Sequence, residues 1–324
     1  MKTRLRPLLA LSLATAALLS AAAAQAQGWQ PKGPIRLVAV FPPGGSVDQV
    51  ARILQPALQQ QLGQTVIVDN KGGASGTIGA GVVASSAPDG STFAVVFDTH
   101  GVNPALFPNL PYDTRRDLPP VALIGTSAMV LSTFADSPYK SFADVVAAAK
   151  GKGVSYGSIG NGSLGHLAMT LLAKSHSFDL QHVPYRGGGP LMNDAVAGHV
   201  PLAIGSVFVT KPHVDSKRLR ALVVTTDKRS PQMPEVPTLA ESGFAGFNAP
   251  AWWAVLAPAK TPPEIIQRMN EEINKALKNP EVAGKLAAQG ITLTPGTAPQ
   301  AQAFIEGQMD TWAKVVKANN IKPD

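Results

Sequence analysis

The chain contains no cysteine. That excludes disulfides, thiol catalysis, iron–sulfur centres and a lipid-modified cysteine behind an export signal. Charge is also scarce: Asp, Glu, Lys and Arg make up 15% of the 324 residues, and no Lys/Arg run suggests a nucleic-acid partner. Beyond the N-terminal segment, no apolar run reaches the ~20 residues that a membrane crossing needs. Signatures of catalysis are missing as well. Gly-x-Ser-x-Gly does not occur, because Tyr156 stands two before Ser158 and Asn161 two before Ser163. The six histidines (His100, His166, His176, His182, His199 and His213) show no metal-site spacing. Asp98, Asp179 and Asp194 form no evident acid/base pair, and residues 72–79 lack the Gly-Lys-Ser/Thr ending of a phosphate loop. Nothing here calls for an enzyme, a cofactor or a metal.

What is present begins with an export signal. Lys2, Arg4 and Arg6 precede an apolar run at 8–19, and Ala24-Gln25-Ala26 is a small-x-small cleavage site. Residues 1–26 therefore read as a signal peptide, cut after Ala26 or alternatively after Ala24. Its loss would take the net charge from +7 to +4. With no anchor and no lipidation site, the expected product is a freely soluble exported protein, periplasmic in a Gram-negative cell.

The remaining chain is long enough for two domains. Residues 35–41 (IRLVAVF) form a short apolar run suited to a buried parallel strand, and Val47, Val50, Ala51, Ile53, Leu54, Leu58 and Leu62 follow at helical spacing up to Gly63. Strands at 65–68 and 92–97 and a short helix at 78–86 complete a βαβαβ series, which makes a parallel sheet with helices on both faces. The second half repeats this style, with strands at 154–157, 181–185, 200–204 and 220–225, a helix at 166–174, and Gly187-Gly188-Gly189 opening another helix. Two apolar segments, 121–133 and 251–257, are candidate crossings between two α/β lobes, with Trp252 and Trp253 expected in core or hinge packing. Helices at 263–277, 281–289 and 299–319 are expected to return to the first lobe. The implied division is lobe 1 at 27–127 and 253–324, and lobe 2 at 128–252.

Glycine-rich loops recur where such strands would end. In "AVFPPGGSVDQVARIL", Ser46 reads as an N-cap and Asp48 as a first-turn acid. Bare backbone at a helix N-terminus makes an anion site. Ala74-Ser75-Gly76-Thr77 repeats the arrangement. Residues 160–165 also satisfy Gly-x-Gly-x-x-Gly, but Tyr185-Arg186 stands where a dinucleotide site would carry an acid. An arginine there suits a 2′-phosphate, or a carboxylate held bidentately. His166 opens the following helix as a ligand donor or as a solvated helix-face residue.

These segments together, "FPPGGSVDQVARIL", "VDNKGGASGTIGA", "APDGSTF", "HGVNPALFPNLPYD", "YGSIGNGSLGHLAMTLL", "VPYRGGGPLMNDAVAGHV", "RLRALVVTTDKRSPQMPEVPTLAESG" and "PEIIQRMNEEINKAL", resemble the Bug-type receptors of tripartite tricarboxylate transporters. The resemblance runs in order from about Pro34 to the C-terminus. It implies a type II periplasmic-binding-protein fold, two α/β lobes joined by crossing strands around a ligand cleft. It further implies a small organic carboxylate as ligand, membrane permease subunits as partners, and a monomer. Carried over by motif, three loops would line the first lobe's wall: one with Phe41, Gly45, Ser46 and Asp48, a second with Ala74 and Thr77, and a third with Thr99, His100 and Asn103. Gly160, Ser163, His166, Tyr185, Arg186 and Ser206 would line the facing one. Gly72 stands where the family commonly has proline, an expected loosening of its loop, and Asp98 would disfavour a second carboxylate if it faced the cleft. A receptor that presents its closed form to a sensor kinase, or an exported α/β hydrolase, are the alternative readings.

Overall fold

The computed structural model describes residues 29–322, so the signal-peptide reading of residues 1–26 lies outside the described residues. The first stretch runs β1 (Ile35–Ala39), α1 (Ser46–Leu62), β2 (Val66–Asn70), a 3₁₀ turn (Ala74–Gly76), α2 (Thr77–Ala84), β3 (Thr92–Phe97) and α3 (Thr99–Leu106). A long strand, β4 (Pro120–Phe134), leads into α4 (Phe142–Gly151), β5 (Val154–Ser158), α5 (Leu164–His176) and β6 (Leu180–Pro184). Then follow α6 (Gly188–Ala197), β7 (Leu202–Ser206), α7 (Val207–Asp215) and β8 (Leu219–Val224). The chain returns through β9 (Pro250–Leu256), α8 (Pro263–Lys278), α9 (Pro280–Ala288), β10 (Thr292–Leu293) and α10 (Ala298–Ala318).

The strands form one continuous sheet in the order β2-β1-β3-β9-β4-β7-β5-β6, with β8 and β10 added on β4. Parallel pairs β1–β2 and β1–β3 build one end and β5–β6 and β5–β7 the other. Between them β4 changes partners. Its residues from Pro120 to Ala128 pair antiparallel with β9, and those from Met129 onward pair with β7 and β8. One strand thus belongs to both lobes, and its partner change falls between Ala128 and Met129.

Local sequence explains the elements. In α1 the inward positions Val47, Val50, Ala51, Leu54, Leu58 and Leu62 are all buried, each large side chain contributing about 1.5–3 kcal/mol of apolar burial. Gly63 closes the helix at φ 63°, a left-handed C-cap that glycine adopts without a Cβ penalty. The C-terminal helices do return: α8 packs on α1, and α10 on α3. Trp253 ties the lobes at their seam. Its ring lies 5.0 Å from Phe97 at the end of β3 and 5.7 Å from Phe208 in α7, and it is fully buried.

Three local expectations are corrected. Ser46 is the first helical residue rather than the N-cap. That place belongs to Gly45, which has no side chain to cap with, while the Ser46 hydroxyl accepts from the Trp253 indole N–H at 3.2 Å. Thr99, His100 and Asn103 lie on a helix, α3, not on a loop; Gly101 and Pro104 disguise it. The glycine at 72 loosens nothing, because a Cβ there would lie 2.6 Å from the Pro42 ring, so its bareness permits close packing.

Candidate functional site

The loops that leave the carboxyl ends of β1, β2, β5, β6 and β7 meet between the lobes, the place where open α/β sheets bind ligands. They enclose two neighbouring spaces. The outer one is a cleft of about 810 Å³, walled by Phe41, Pro42, Pro43, Asn70, Ile78 and Phe107 from one lobe and by Ile159, Asn161, Pro184, Tyr185 and Arg186 from the other. The inner one is a chamber of about 10 Å³, the size of one water. Phe41 and Ile159 line both and so stand between them.

The chamber is built from helix beginnings. Gly45, Ser46 and Val47 at the head of α1, Gly188 at the head of α6, and Ser206 at the head of α7 all line it. None of these three helices has a side-chain cap, so the first-turn N–H groups that a helix cannot satisfy internally are left for something else. Each helix start carries roughly half a positive charge, and the three converge on one point from two lobes. Ser206 adds a hydroxyl that is 3% exposed and has no hydrogen-bond partner, a cost of about 1–3 kcal/mol unless something supplies one. The remaining wall is apolar: Phe41, Phe97, Met129, Ile159 and Val209. The lobes touch closely at their glycines. A Cβ on Gly189 would crowd the Pro43 carbonyl at 3.2 Å, while one on Gly45 would make ordinary contact with the Gly188 nitrogen at 3.7 Å.

Of the residues expected to hold a ligand, Phe41, Ala74, Gly160, Tyr185 and Arg186 line the outer cleft, and Phe41, Gly45, Ser46 and Ser206 line the chamber. Arg186 is exposed and is the sole charged side chain on either wall. Tyr185 turns its ring to the cleft while its hydroxyl donates to Asp194 Oδ2 at 2.9 Å; burial, then this bond and the Asp194 charge, push its pKa up to about 12.

The others support the walls from behind. Asp48 accepts from the Gly44 N–H at 3.0 Å and pairs with Arg52 at 2.9 Å, which pins the turn before α1. Ala74 and Ser75 both sit at positive φ (46° and 53°), a strained turn for residues with a side chain. Thr77 fastens it by donating to the Ala74 carbonyl at 2.9 Å, and the Asn103 amide donates to the Ser75 carbonyl at 3.1 Å. From this turn the Ser75 hydroxyl donates across the cleft to the Asn161 carbonyl, a latch between lobes.

Ser163 and His166 brace the 160–165 run. Ser163 caps α5 by accepting from the His166 N–H, and His166 Nδ1 accepts from the Gly162 N–H at 3.0 Å. His166 is buried, 4.0 Å ring to ring from His182, and not in water. The Gly160 N–H goes to the Ser158 hydroxyl and the Ser163 N–H to the Gly160 carbonyl. A pyrophosphate would find these amides already taken. Ser158 lies 2.7 Å from His182 Nε2 but is wholly buried inside this network, a brace rather than a nucleophile.

Thr99 and His100 are buried, and His100 lines a separate small cavity with residues of α10. Burial alone lowers the His100 pKa to about 4. Asp98 lines neither cleft nor chamber. Its pKa is raised well above the usual carboxylate range, first by burial. The amides of Leu164 and Thr99 approach its oxygens without closing a well-formed bond and ease that burden only in part.

The ligand walls that sequence reasoning left out are of two kinds. Asn70, Ser75, Asn161 and Gly188 stand in or beside the glycine-rich motifs and were within reach of a strand-end argument. Phe97, Met129, Ile159 and Val209 look like ordinary core residues in the sequence, and only the meeting of the lobes makes them a wall.

A two-lobed α/β molecule joined by one sheet, with helix starts converging on its cleft, is a binding protein of the periplasmic type. Residues 50–321 match the family model of the tripartite tricarboxylate transporter family receptor, and the chain belongs to that family. It is similar to BugT of Bordetella pertussis (strain Tohama I), 36% identical over 324 residues that cover 99% of this chain and 98% of BugT. Among solved structures it resembles Rhodopseudomonas palustris Rpa4515 with adipate (TM-score 0.86, 32% identity, 91% of this chain and 99% of that one). It also resembles MatC from the same species with bound malate (TM-score 0.84, 29% identity, 88% and 99%). These are solute-binding receptors, not enzymes.

Proposed function

We infer that this chain is an exported periplasmic receptor that captures a small organic carboxylate between its lobes and delivers it to the membrane permease of a tripartite tricarboxylate-type transporter. The observation that carries this reading is the convergence of three uncapped helix starts and the unpartnered Ser206 hydroxyl on one chamber. A carboxylate supplies what those groups lack, two oxygens for several N–H and O–H donors and a negative charge for three positive helix ends. The relatives solved with adipate and with malate support the same ligand class.

In this reading lobe 1 is 27–127 with 253–324, lobe 2 is 128–252, and the receptor acts as a monomer. Ligand binding favours the state in which both walls reach the ligand, and so shifts the lobes toward closure. The latch from Ser75 to Asn161 belongs to that closed state. The permease then distinguishes loaded from empty receptor by the closed surface. No cofactor or metal enters this scheme.

A thermal-shift screen of the purified protein from Gln27 onward tests it, with mono-, di- and tricarboxylates, amino acids and nucleotides as probes. A carboxylate at a hundred times its Kd stabilises the fold by about 2.7 kcal/mol, a clear rise in Tm. A rise with nucleotides alone would overturn the reading.

A further inference from the structure

We propose that the ligand is a carboxylate with an unsubstituted apolar body, alkyl or aryl, and that the chamber discriminates against hydroxy acids and tricarboxylates. The inference rests on the receptor reading above and adds the chemistry of the part of the ligand that the helix ends do not hold.

The chamber as it stands has room for one water. A carboxylate therefore seats at its helix ends only with the lobes slightly parted, and the rest of the ligand then meets the walls between chamber and cleft. The chamber's polar groups are the helix-start amides, which donate, and the Ser46 and Ser206 hydroxyls, which donate and accept, and one carboxylate uses their protons. Ser46 already accepts from Trp253, which leaves its own proton to give. Around them stand Phe41, Phe97, Met129, Ile159 and Val209, without a titratable group or a side-chain amide. A ligand hydroxyl against this wall would lose its water and gain no partner, which disfavours it. A methylene or ring edge would bury apolar surface instead.

The boundary with the outer cleft has the same character, because Phe41 and Ile159 line both spaces. Farther out stand Pro42, Pro43, Phe107 and Tyr185 with the polar Asn70, Ser75 and Asn161, and Arg186 is the one charged side chain. The Asn70 amide donates to the Phe41 carbonyl, and the Ser75 hydroxyl gives its proton to the Asn161 carbonyl. The Tyr185 hydroxyl is engaged by Asp194 and is not offered to the cleft. One exposed cation matches at most one further carboxylate, at the far end of an extended body. A tricarboxylate would leave a charge with no counterpart. The Asp48 and Asp98 carboxylates change nothing here, since both are turned into the protein.

Calorimetric titration of the full mature chain with matched pairs tests this. Succinate against malate, and glutarate against 2-hydroxyglutarate, differ by one hydroxyl at equal charge and length, and adipate against citrate adds the third carboxylate. The expected result is at least tenfold tighter binding for the unsubstituted member of each pair. Equal or tighter binding of malate, 2-hydroxyglutarate or citrate would overturn the proposal and leave the receptor reading standing. Failure of every carboxylate to bind would overturn both. An Ile159→Ser variant, which puts a hydroxyl between chamber and cleft, is expected to narrow the malate–succinate gap at least threefold.

Discussion

Two glycine-rich loops look alike in the sequence and do opposite things in the structure. "FPPGGS", before α1, and "GNGSLG", before α5, each follow a strand and open a helix. In the first, the helix starts at a glycine N-cap without a side-chain partner, and the residues at its head line the chamber. In the second, Ser163 caps the helix, His166 takes the Gly162 N–H, and Ser158 takes that of Gly160. Glycine spacing therefore announces bare backbone but not its availability. What separates a binding loop from a braced one is whether nearby hydroxyls and imidazoles have already consumed the donors.

The comparison sharpens first under acid, because Asp98 is buried behind the second loop and His100, two residues further on, is buried against α10. His100 is neutral in the fold, with a pKa near 4 against the ordinary 6.5. The unfolded chain therefore binds more protons between those values, so stability is full above pH 6.5 and is lost as pH falls toward 4. The loss is about 3 kcal/mol for that gap. Asp98, whose amide neighbour Leu164 heads α5, works in the opposite direction. Its folded pKa is raised, so it favours the folded state most at low pH, and its contribution declines as pH rises above 3.8. The clean measurement is urea unfolding of Asp98→Asn with and without His100→Gln at pH 7 and pH 4. The acid penalty is expected to shrink by most of those ~3 kcal/mol when His100 is removed.

A side chain in the first loop comes next. Gly45→Val is compatible with the local backbone (φ −79°, ψ 171°), but its branches would reach past the 3.7 Å approach to Gly188 and keep the lobes apart. Carboxylate affinity is expected to fall about a hundredfold with Tm nearly unchanged, a difference of about 2.7 kcal/mol in binding. Smaller still is the latch. Ser75→Ala removes the one hydroxyl that spans the cleft to Asn161, and a net hydrogen bond of ~1 kcal/mol predicts about fivefold weaker binding by calorimetry.

The fold was largely legible because each signal came from several residues at once. The apolar runs of β1 and β3, the i, i+3, i+4 spacing of α1 and the glycine stop at Gly63 each constrain many positions. The apolar segment 121–133 was expected as a crossing, and β4 (Pro120–Phe134) is that strand, but that it joins the lobes into one sheet was not foreseen. α3 was missed because two poor helix formers, Gly101 and Pro104, lie within eight residues that tertiary packing against α10 nonetheless holds helical. In the candidate site the backbone donors could be read from the glycines and strand ends. The apolar chamber could not, because Phe97, Met129, Ile159 and Val209 come from four separate elements and loops, and no sequence period relates them.

The most direct test of the central claim sets Ser206→Ala beside Ser163→Ala, with calorimetry against a bound dicarboxylate such as adipate and urea unfolding of each. Ser206 heads a helix with no side-chain cap, and Ser163 caps its own helix by accepting from the His166 N–H. Removing the Ser206 hydroxyl is expected to weaken binding about tenfold and to leave stability level or slightly raised, since a buried orphan is gone. Removing the Ser163 hydroxyl is expected to cost about 1 kcal/mol of stability and to change affinity less than threefold. The reverse pattern, affinity lost at Ser163 and stability lost at Ser206, would place the ligand on the braced loop and contradict the account.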